Sequence, residues 1–201
     1  VIGNTNPKVT GGFGLSGSWK NLDFTAFFNY MCDFDVFNVN KLYLNSAVRR
    51  NYSNLSTNMN LARRFRYVAD AGVPDVRAWA YDDAGVNVSS DPVALAALNQ
   101  NAATYSWMSV TQGITMSDLI EDGSFLRLST LTVGYTFPQR WLSRLGVKSL
   151  RLYFSGSNLF TLTGYSGYDP EVNIQKGLTP GIDNNVTPRS RVYTLGMNLN
   201  F

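Results

Sequence analysis

The sequence contains no histidine and a single cysteine, Cys32. One cysteine cannot form an internal disulfide, and without histidine a zinc site of Cys and His ligands cannot be built. The absence of histidine also removes the usual general base of a serine or cysteine catalytic triad. We therefore predict that the chain is not an enzyme and that it carries neither a metal nor a cofactor.

Charge is also scarce. Charged residues make up 15% of the 201 residues, whereas soluble domains usually reach about a quarter. The net charge of +3 is too small and too scattered to favour nucleic-acid binding. Arg63, Arg64 and Arg66 form the only dense basic cluster, which we interpret as a solvated loop face.

Long apolar runs are missing too. No stretch of 18 apolar residues occurs, so we predict no membrane-spanning helix. The chain begins at Val1 rather than at a methionine, and it has no signal peptide. We therefore expect a processed or partial chain.

Apolar residues instead alternate with polar ones, which predicts β-strands. Each predicted strand reaches the roughly 9–11 residues that cross a bilayer when tilted, whereas soluble strands are usually nearer 5–6. The opposite face is small and polar, which favours a wet or plugged barrel lumen. A soluble sandwich, with a second sheet on the apolar face, remains the alternative. The predicted strands cover about residues 9–20, 22–37, 124–137, 149–160 and 189–201.

The connections between these strands alternate in length. The two residues Lys20 and Asn21 form a hairpin turn, and the connection 138–148 is compact. Residues 39–122 and 161–188 form long connections. Short turns at one end and long loops at the other are typical of outer-membrane barrels, with the long loops outside the cell.

Short helices are predicted within the connections. Residues 38–50 have helical spacing, and Asp91 with Pro92 can begin a helix that continues to Asn101. Residues 139–145 can form one helical turn or two. The long loops therefore contain some regular structure.

The end of the chain carries a second barrel feature. Thr194, Gly196, Leu199 and Phe201 have the polar, glycine, apolar and aromatic spacing that barrel-assembly machinery uses. Such a strand is amphipathic, and its terminal aromatic lies at the bilayer interface. We predict that these four residues form the assembly signal.

A glycine motif and three pairs of carboxylates could suggest chemistry. The glycines of Gly12–Gly17 match GxGxxG, but a turn and a strand follow instead of a helix, so we interpret them as strand glycines. The carboxylates could resemble a glycosidase pair, yet they lie in predicted loops, where we expect solvated charges. These pairs are Asp82 with Asp83, Glu121 with Asp122, and Asp169 with Glu171.

Aromatic and acidic residues of the loops are candidates for contact with a substrate or a lid protein. Aromatic rings could stack on sugars, although loop packing or an interfacial girdle would also explain them. The candidates are Trp79, Tyr81, Asp82, Asp83, Trp107, Tyr165 and Tyr168.

Three blocks resemble one protein family. The runs 123–138, 149–161 and 164–171 are similar, in order and spacing, to the last blocks of SusC/RagA-type TonB-dependent transporters. Residues 12–38 resemble the preceding barrel hairpin of that family. Residues 39–122 match only as a long variable loop.

The resemblance implies an all-β, antiparallel transmembrane barrel of about 22 strands in the outer membrane of Bacteroidota, with an N-terminal plug. This chain would supply the last five strands, with long extracellular loops that contain short helices. The family imports oligosaccharides or peptides, is energised through TonB and has a SusD-like surface lipoprotein as its lid. The plug and the TonB contact would lie in an N-terminal part outside this chain.

Two other functions remain open on the sequence. The first is an outer-membrane barrel or adhesin that does not transport, which would lack a plug. The second is a secreted β-sandwich that binds glycans, which would be soluble without detergent.

Overall fold

A computed structural model of the chain divides into two compact units, Val1–Phe37 with Ile120–Phe201, and Asn38–Leu119. The residues that the structure describes are 2–45, 54, 56–57, 60, 63, 65–66, 80–103, 117–172 and 180–201.

Eight strands and three short α-helices make up the regular structure of these residues. The strands are β1 Val9–Trp19, β2 Leu22–Cys32, β3 Asp35–Asn38, β4 Ile120–Asp122, β5 Phe125–Thr136, β6 Ser149–Thr163, β7 Ile182–Asp183 and β8 Val192–Asn200. The helices are α1 Val39–Leu44, α2 Pro92–Asn99 and α3 Gln139–Leu142, with 3-10 turns at Ser117–Leu119 and Ser143–Leu145.

The five predicted strands form one antiparallel sheet in the order β1-β2-β5-β6-β8. The predicted hairpin is confirmed, because Trp19 pairs with Leu22 across the turn. Lys20 has φ of 55° there, and the side chain of Asn21 donates to the carbonyl of Thr136 at 2.6 Å. This bond ties the turn to the end of β5.

One face of this sheet is apolar across all five strands. Phe24 on β2 pairs with Val133, Val133 pairs with Phe154, and Phe154 pairs with Leu195 on β8. Directly paired residues project to the same side of a sheet, so these four form one apolar row. Leu195 is 81% exposed, and no described residue covers this apolar face.

The other face is small and polar. Thr25, Thr132, Ser155 and Thr194 form a row across β2, β5, β6 and β8. The hydroxyl groups of Thr132 and Ser155 lie 3.0 Å apart, within hydrogen-bonding distance. The sheet is therefore two-faced, as the alternation predicted, and it is called below the main sheet.

The prediction of one strand over residues 22–37 was wrong. β2 ends at Cys32, and Asp33 turns the chain with φ of 60° while its backbone N–H donates to the Ser124 hydroxyl at 2.9 Å. The chain then enters β3, which lies in a second sheet of order β4-β3-β7. The turn depends on Ser124, which is distant in sequence, so local alternation could not reveal it.

A small core joins the second sheet to the main sheet within their unit. Its buried residues come from β3 and the residue before it, from β5 and from the segment after β6, and Val36 and Phe125 are at most 3% exposed. This core lies at the end of the main sheet where β2 and β6 finish and β5 and β8 begin. The residues are Phe34, Val36, Phe125, Tyr165 and Val172.

The helical segment predicted over residues 139–145 is present in full, as α3 and the 3-10 turn that follows it, whereas the other two predicted helices are shorter in the described residues. Asn38 caps α1, and the predicted continuation over residues 46–50 lies outside the described part of the chain. The Asp91 carboxylate caps α2 and Pro92 is its first residue, as predicted, but the helix ends two residues before Asn101. In the part of the chain that the structure describes, every helix is too short or too polar to cross a bilayer.

Candidate functional site

The two ends of the main sheet differ in structure. One end, called the turn end, carries the Lys20–Asn21 turn, α3 and the last residues of β8. The opposite end, called the loop end, carries the second sheet and the segments 164–172 and 180–191. Most of the buried charge of this unit lies at the loop end.

A cluster of ions organises the loop end. Arg127 on β5 is 2% exposed, and its Nη2 lies 2.5 Å from Oδ1 of Asp169. The same Nη2 is 3.7 Å from Oε2 of Glu171, whose Oε1 lies 2.6 Å from Nη2 of Arg189. Arg127, Asp169, Glu171 and Arg189, called below the loop-end cluster, join β5, the loop after β6 and the segment before β8.

Asp169 also holds the backbone around it. Its carboxylate accepts hydrogen bonds from the backbone N–H of Glu171 at 3.0 Å and of Arg189 at 3.1 Å. One side chain therefore fixes the loop after β6 and the approach to β8. Such charge-assisted bonds are stronger than neutral ones.

The pKa values of the two carboxylates of the cluster are shifted in opposite directions. Burial alone would raise the pKa of Asp169, but hydrogen bonds from Arg127 and from two backbone N–H groups outweigh it and hold that pKa below its ordinary value. Burial raises the pKa of Glu171, and the nearby arginines offset this only in part. Asp169 is therefore the charged anchor of the cluster, and Glu171 is its more easily protonated member.

The expectation that all the loop carboxylates are solvated was wrong for Asp169, which is 8% exposed. Its partner Arg127 is 42 residues away in sequence, so no local pattern marked the pair. Asp83 fits the expectation better, because its side chain is 87% exposed. Its Oδ1 forms an ion pair with Nη1 of Arg66 at 2.5 Å. Glu121 accepts from the backbone N–H and hydroxyl of Ser166 at 2.9 and 2.8 Å.

The predicted contact aromatics divide into buried and exposed residues. Tyr165 is 6% exposed and its hydroxyl donates to Asp183 at 2.7 Å, so it packs inside the loop rather than at the surface. Burial and the Asp183 carboxylate raise the pKa of Tyr165 above its ordinary value. Tyr168 lies three residues further on and is 84% exposed, so its ring is available to a ligand.

The remaining predicted contact residues belong to the unit Asn38–Leu119. Tyr81 is 49% exposed and pairs with Asn87 in a short bridge. The carboxylate of Asp82 accepts from backbone N–H groups and so shapes the turn that follows. Trp79 and Trp107 lie outside the described residues.

The polar face also carries an ion pair that was not predicted from the sequence. Arg151 on β6 reaches across β5 to Asp23 on β2, with Nη2–Oδ2 and Nε–Oδ1 distances of 2.6 and 3.2 Å. Gly134 on the intervening strand makes this possible, because a Cβ there would lie 2.7 Å from the guanidinium carbon. The available signal was two opposite charges among the small polar residues of this face near its turn end.

Among the residues described, no group of three or more His, Cys, Asp or Glu side chains is placed to hold a metal ion. The arrangement is an open two-faced sheet with a braced loop end. Its surfaces are suited to contact with lipid, with another part of a barrel or with a ligand.

Comparison with protein-family models gives no match. Among curated proteins, TonB-dependent receptor P3 of Formosa agariphila is 28% identical over 100% of this chain, which spans 17% of that receptor. TonB-dependent receptor SusC of Bacteroides thetaiotaomicron is 40% identical over 45% of this chain and 9% of its own length. The chain is thus similar to TonB-dependent receptors over its full length, and to SusC over nearly half of it.

The structural comparison agrees at the level of the fold. The RagAB peptide transporter matches 98% of this chain with a TM-score of 0.66 and 23% identity, and the chain covers 17% of it. The main sheet thus matches the barrel portion of such proteins in fold. The chain spans less than a fifth of each of these receptors.

Proposed function

We propose that the chain supplies five neighbouring strands, the last five, to an outer-membrane barrel of about 22 strands that imports oligosaccharides or peptides. TonB would energise it through a plug-bearing part outside this chain, and a SusD-like lipoprotein would act as the lid. The observation that carries the proposal is the two-faced main sheet, in a chain whose relatives are TonB-dependent receptors.

The length of the strands supports a membrane location. β1 and β2 have 11 residues each and β5 has 12. At about 3.3 Å per residue an 11-residue strand is roughly 36 Å long, and a tilt of about 45° reduces its height to roughly 25 Å. That height matches the apolar band of outer-membrane barrels, about 25 Å.

The two faces then have different surroundings. The apolar face would contact lipid chains, which explains why Leu195 needs no covering residue. The polar face, with the Asp23–Arg151 pair, would line the lumen and meet the plug. An ion pair is tolerated there because a lumen is wet and polar.

The loop end would face the outside of the cell. The loop-end cluster fixes the segment that presents Tyr168, and a braced aromatic side chain loses little entropy when it stacks on a ligand. We propose that Tyr168 contacts the substrate or the lid. For Tyr81, which is 49% exposed in the unit Asn38–Leu119, such a contact is a separate proposal. Tyr165, which is buried in the same segment as Tyr168, would act through packing and not through direct contact.

The residues of the proposed assembly signal lie on β8 or directly after it. Leu199 and Phe201 continue the apolar alternation of β8, and Phe201 is 71% exposed. A Cβ on Gly196 would lie 2.6 Å from Cε1 of Tyr153, so that ring requires a glycine beneath it. Recognition of Thr194, Gly196, Leu199 and Phe201 by the assembly machinery remains part of the proposal.

The experiment is to purify the native protein from outer membranes in detergent and to measure its intact mass and its heat-modifiable gel mobility. We expect a polypeptide far longer than 201 residues, with mobility that changes on heating and with a lipoprotein attached. A barrel that carries no plug would favour the non-transporting barrel or adhesin. A protein soluble without detergent would contradict the proposal and favour the glycan-binding sandwich.

A further inference from the structure

The turn end of the main sheet carries an excess of positive charge. Lys20, Arg140, Arg144 and Lys148 are all exposed there, and none forms an ion pair with a described residue. Among the described residues, Asp23 is the only acidic residue nearby, and it is paired with Arg151 on the polar face. No other carboxylate side chain of the described residues therefore balances these four cations.

The loop end of the same unit has the opposite balance. Seven carboxylates stand there against four cations among the described residues. The carboxylates are Asp33, Asp35, Glu121, Asp122, Asp169, Glu171 and Asp183, and the cations are Lys8, Arg127, Arg189 and Arg191. The excess at the turn end is thus a local feature and not a property of the whole unit.

Two of these cations lie against exposed tryptophans. Nζ of Lys20 is 4.8 Å from the ring centroid of Trp19, and Cζ of Arg140 is 6.0 Å from that of Trp141. Trp19 is 69% exposed and Trp141 is 55% exposed. A tryptophan beside a cation is a pairing suited to the boundary between hydrocarbon and headgroups.

Trp141 is also continuous with the apolar face. Its ring lies 6.2 Å from that of Phe137, which lies 5.1 Å from that of Tyr135. Tyr135 pairs with Leu22 and Leu152, both on the apolar face. A row of aromatic rings therefore runs from that face to α3, so Trp141 lies on the proposed lipid side of the sheet.

The segment after β5 has one buried apolar side chain and several exposed ones, as expected at the boundary between acyl chains and headgroups. Leu142 is 5% exposed and turns inward, whereas Arg140 and Trp141 of the same helix turn outward. Gly146, with φ of 68°, then ends the segment and returns the chain towards β6. A short element with one apolar anchor and outward cations is typical of an interfacial segment.

We propose that the turn end binds anionic phospholipid headgroups through Lys20, Arg140, Arg144 and Lys148, with Trp19 and Trp141 at the boundary with the acyl chains. The inference rests on the proposed membrane location of the main sheet. Charge complementarity selects an anionic headgroup, and continuity with the apolar face selects a lipid over a free phosphate.

The test uses the complete receptor in an uncharged detergent, titrated with phosphatidylglycerol or with phosphatidylcholine of the same acyl chains, and bound lipid is counted by native mass spectrometry. We expect preferential retention of phosphatidylglycerol. The double variant Arg140→Gln/Arg144→Gln should weaken its binding about 25-fold, at about fivefold for each cation. The matched control Lys8→Gln/Arg191→Gln removes the same charge at the loop end and should leave binding unchanged.

Two further measurements distinguish a lipid headgroup from free phosphate as the bound anion. Added inorganic phosphate should not displace the lipid, because it lacks acyl chains, and Trp141→Ala should weaken retention of phosphatidylglycerol while leaving every cation in place. Equal binding by Arg140→Gln/Arg144→Gln and the unchanged receptor would overturn the proposal, as would full competition by phosphate. If the receptor is heat-modifiable but shows no lipid preference, only this inference fails. If the protein is soluble without detergent, the proposed function fails as well.

Discussion

Arg127 on β5 and Asp169 in the loop after β6 form an ion pair at 2.5 Å in which both side chains are less than a tenth exposed. The pair joins β5 to the loop after β6 across 42 residues of sequence. A charge buried this deeply is stable only while its partner is present, because removal of one partner leaves the other unsolvated.

We therefore predict that Arg127→Gln destabilises the receptor by about 3–5 kcal/mol, since it leaves the Asp169 carboxylate buried without its guanidinium. Equilibrium unfolding in urea and hydrogen exchange over residues 164–172 would measure this. Arg191→Gln changes an exposed arginine and should cost less than about 0.5 kcal/mol. Equal stabilities for the two variants would contradict the buried pair.

Replacement of both partners should destabilise the protein far less than replacement of Arg127 alone. Arg127→Met combined with Asp169→Leu removes both buried charges, and such exchanges are often neutral. The double variant should therefore recover much of the stability that Arg127→Gln loses. However, Asp169 also accepts from the N–H groups of Glu171 and Arg189, so hydrogen exchange of that loop should remain faster than in the unchanged receptor.

The loop-end cluster also predicts how the loop responds to pH. Because the folded pKa of Asp169 is lowered, its stabilising contribution is present above its unfolded pKa and is lost as the pH falls through the folded pKa. Glu171 has the opposite effect, because its folded pKa is raised. The stability of the loop therefore falls as the pH rises from the unfolded pKa of Glu171 through its folded pKa.

Proteolysis of the 164–172 loop across pH 3–7 should separate the two carboxylates. Asp169→Asn should remove the loss of protection at the acid end, and Glu171→Gln should flatten the loss that begins above pH 4.5, the ordinary pKa of that carboxyl. An Asp169→Asn profile identical to that of the unchanged receptor would show that this carboxylate does not anchor the loop.

The two loop tyrosines should behave differently when they are changed. Tyr165→Phe removes the hydrogen bond to Asp183, which is 2% exposed, and should cost about 1–3 kcal/mol. Tyr168→Ala changes an exposed ring and should leave stability unchanged while it weakens substrate uptake or lid binding. A stable Tyr168→Ala receptor with full uptake and full lid affinity would remove Tyr168 from the contact surface.

How far the sequence predicted this fold depends on the range of the interactions. The hairpin at Lys20 and the alternation of the five strands are local features, so they were predicted correctly. The break at Asp33 was missed because it depends on Ser124, 91 residues away. The loop-end cluster was missed for the same reason, since Arg127 in a strand gives no local sign that its partner lies in a loop.

Gly134 should tolerate no side chain, because the side chain of Arg151 passes over it to reach Asp23. Gly134→Ala places a Cβ within 2.7 Å of the guanidinium carbon, and we expect it to displace the Asp23–Arg151 pair and to cost about 1–3 kcal/mol. Gly164→Ala is the matched control, because a Cβ there meets nothing within 4 Å. The stability of both variants is measured as the temperature at which the folded gel band converts to the unfolded one. Equal shifts of this temperature would contradict the passage of Arg151 over Gly134.

The surroundings of the apolar face can be tested with one pair of neighbouring residues. Leu195 and Thr194 lie near the middle of β8 and point to opposite faces of the main sheet. In a bilayer Leu195→Arg should cost about 2–4 kcal/mol, because an arginine at mid-depth meets lipid, whereas Thr194→Arg points into the wet lumen and should cost far less. In water the 81% exposed Leu195 could become arginine at almost no cost. Folding of both variants into lipid vesicles, followed by unfolding in guanidinium, measures the difference, and equal stabilities would exclude a lipid-facing position for β8.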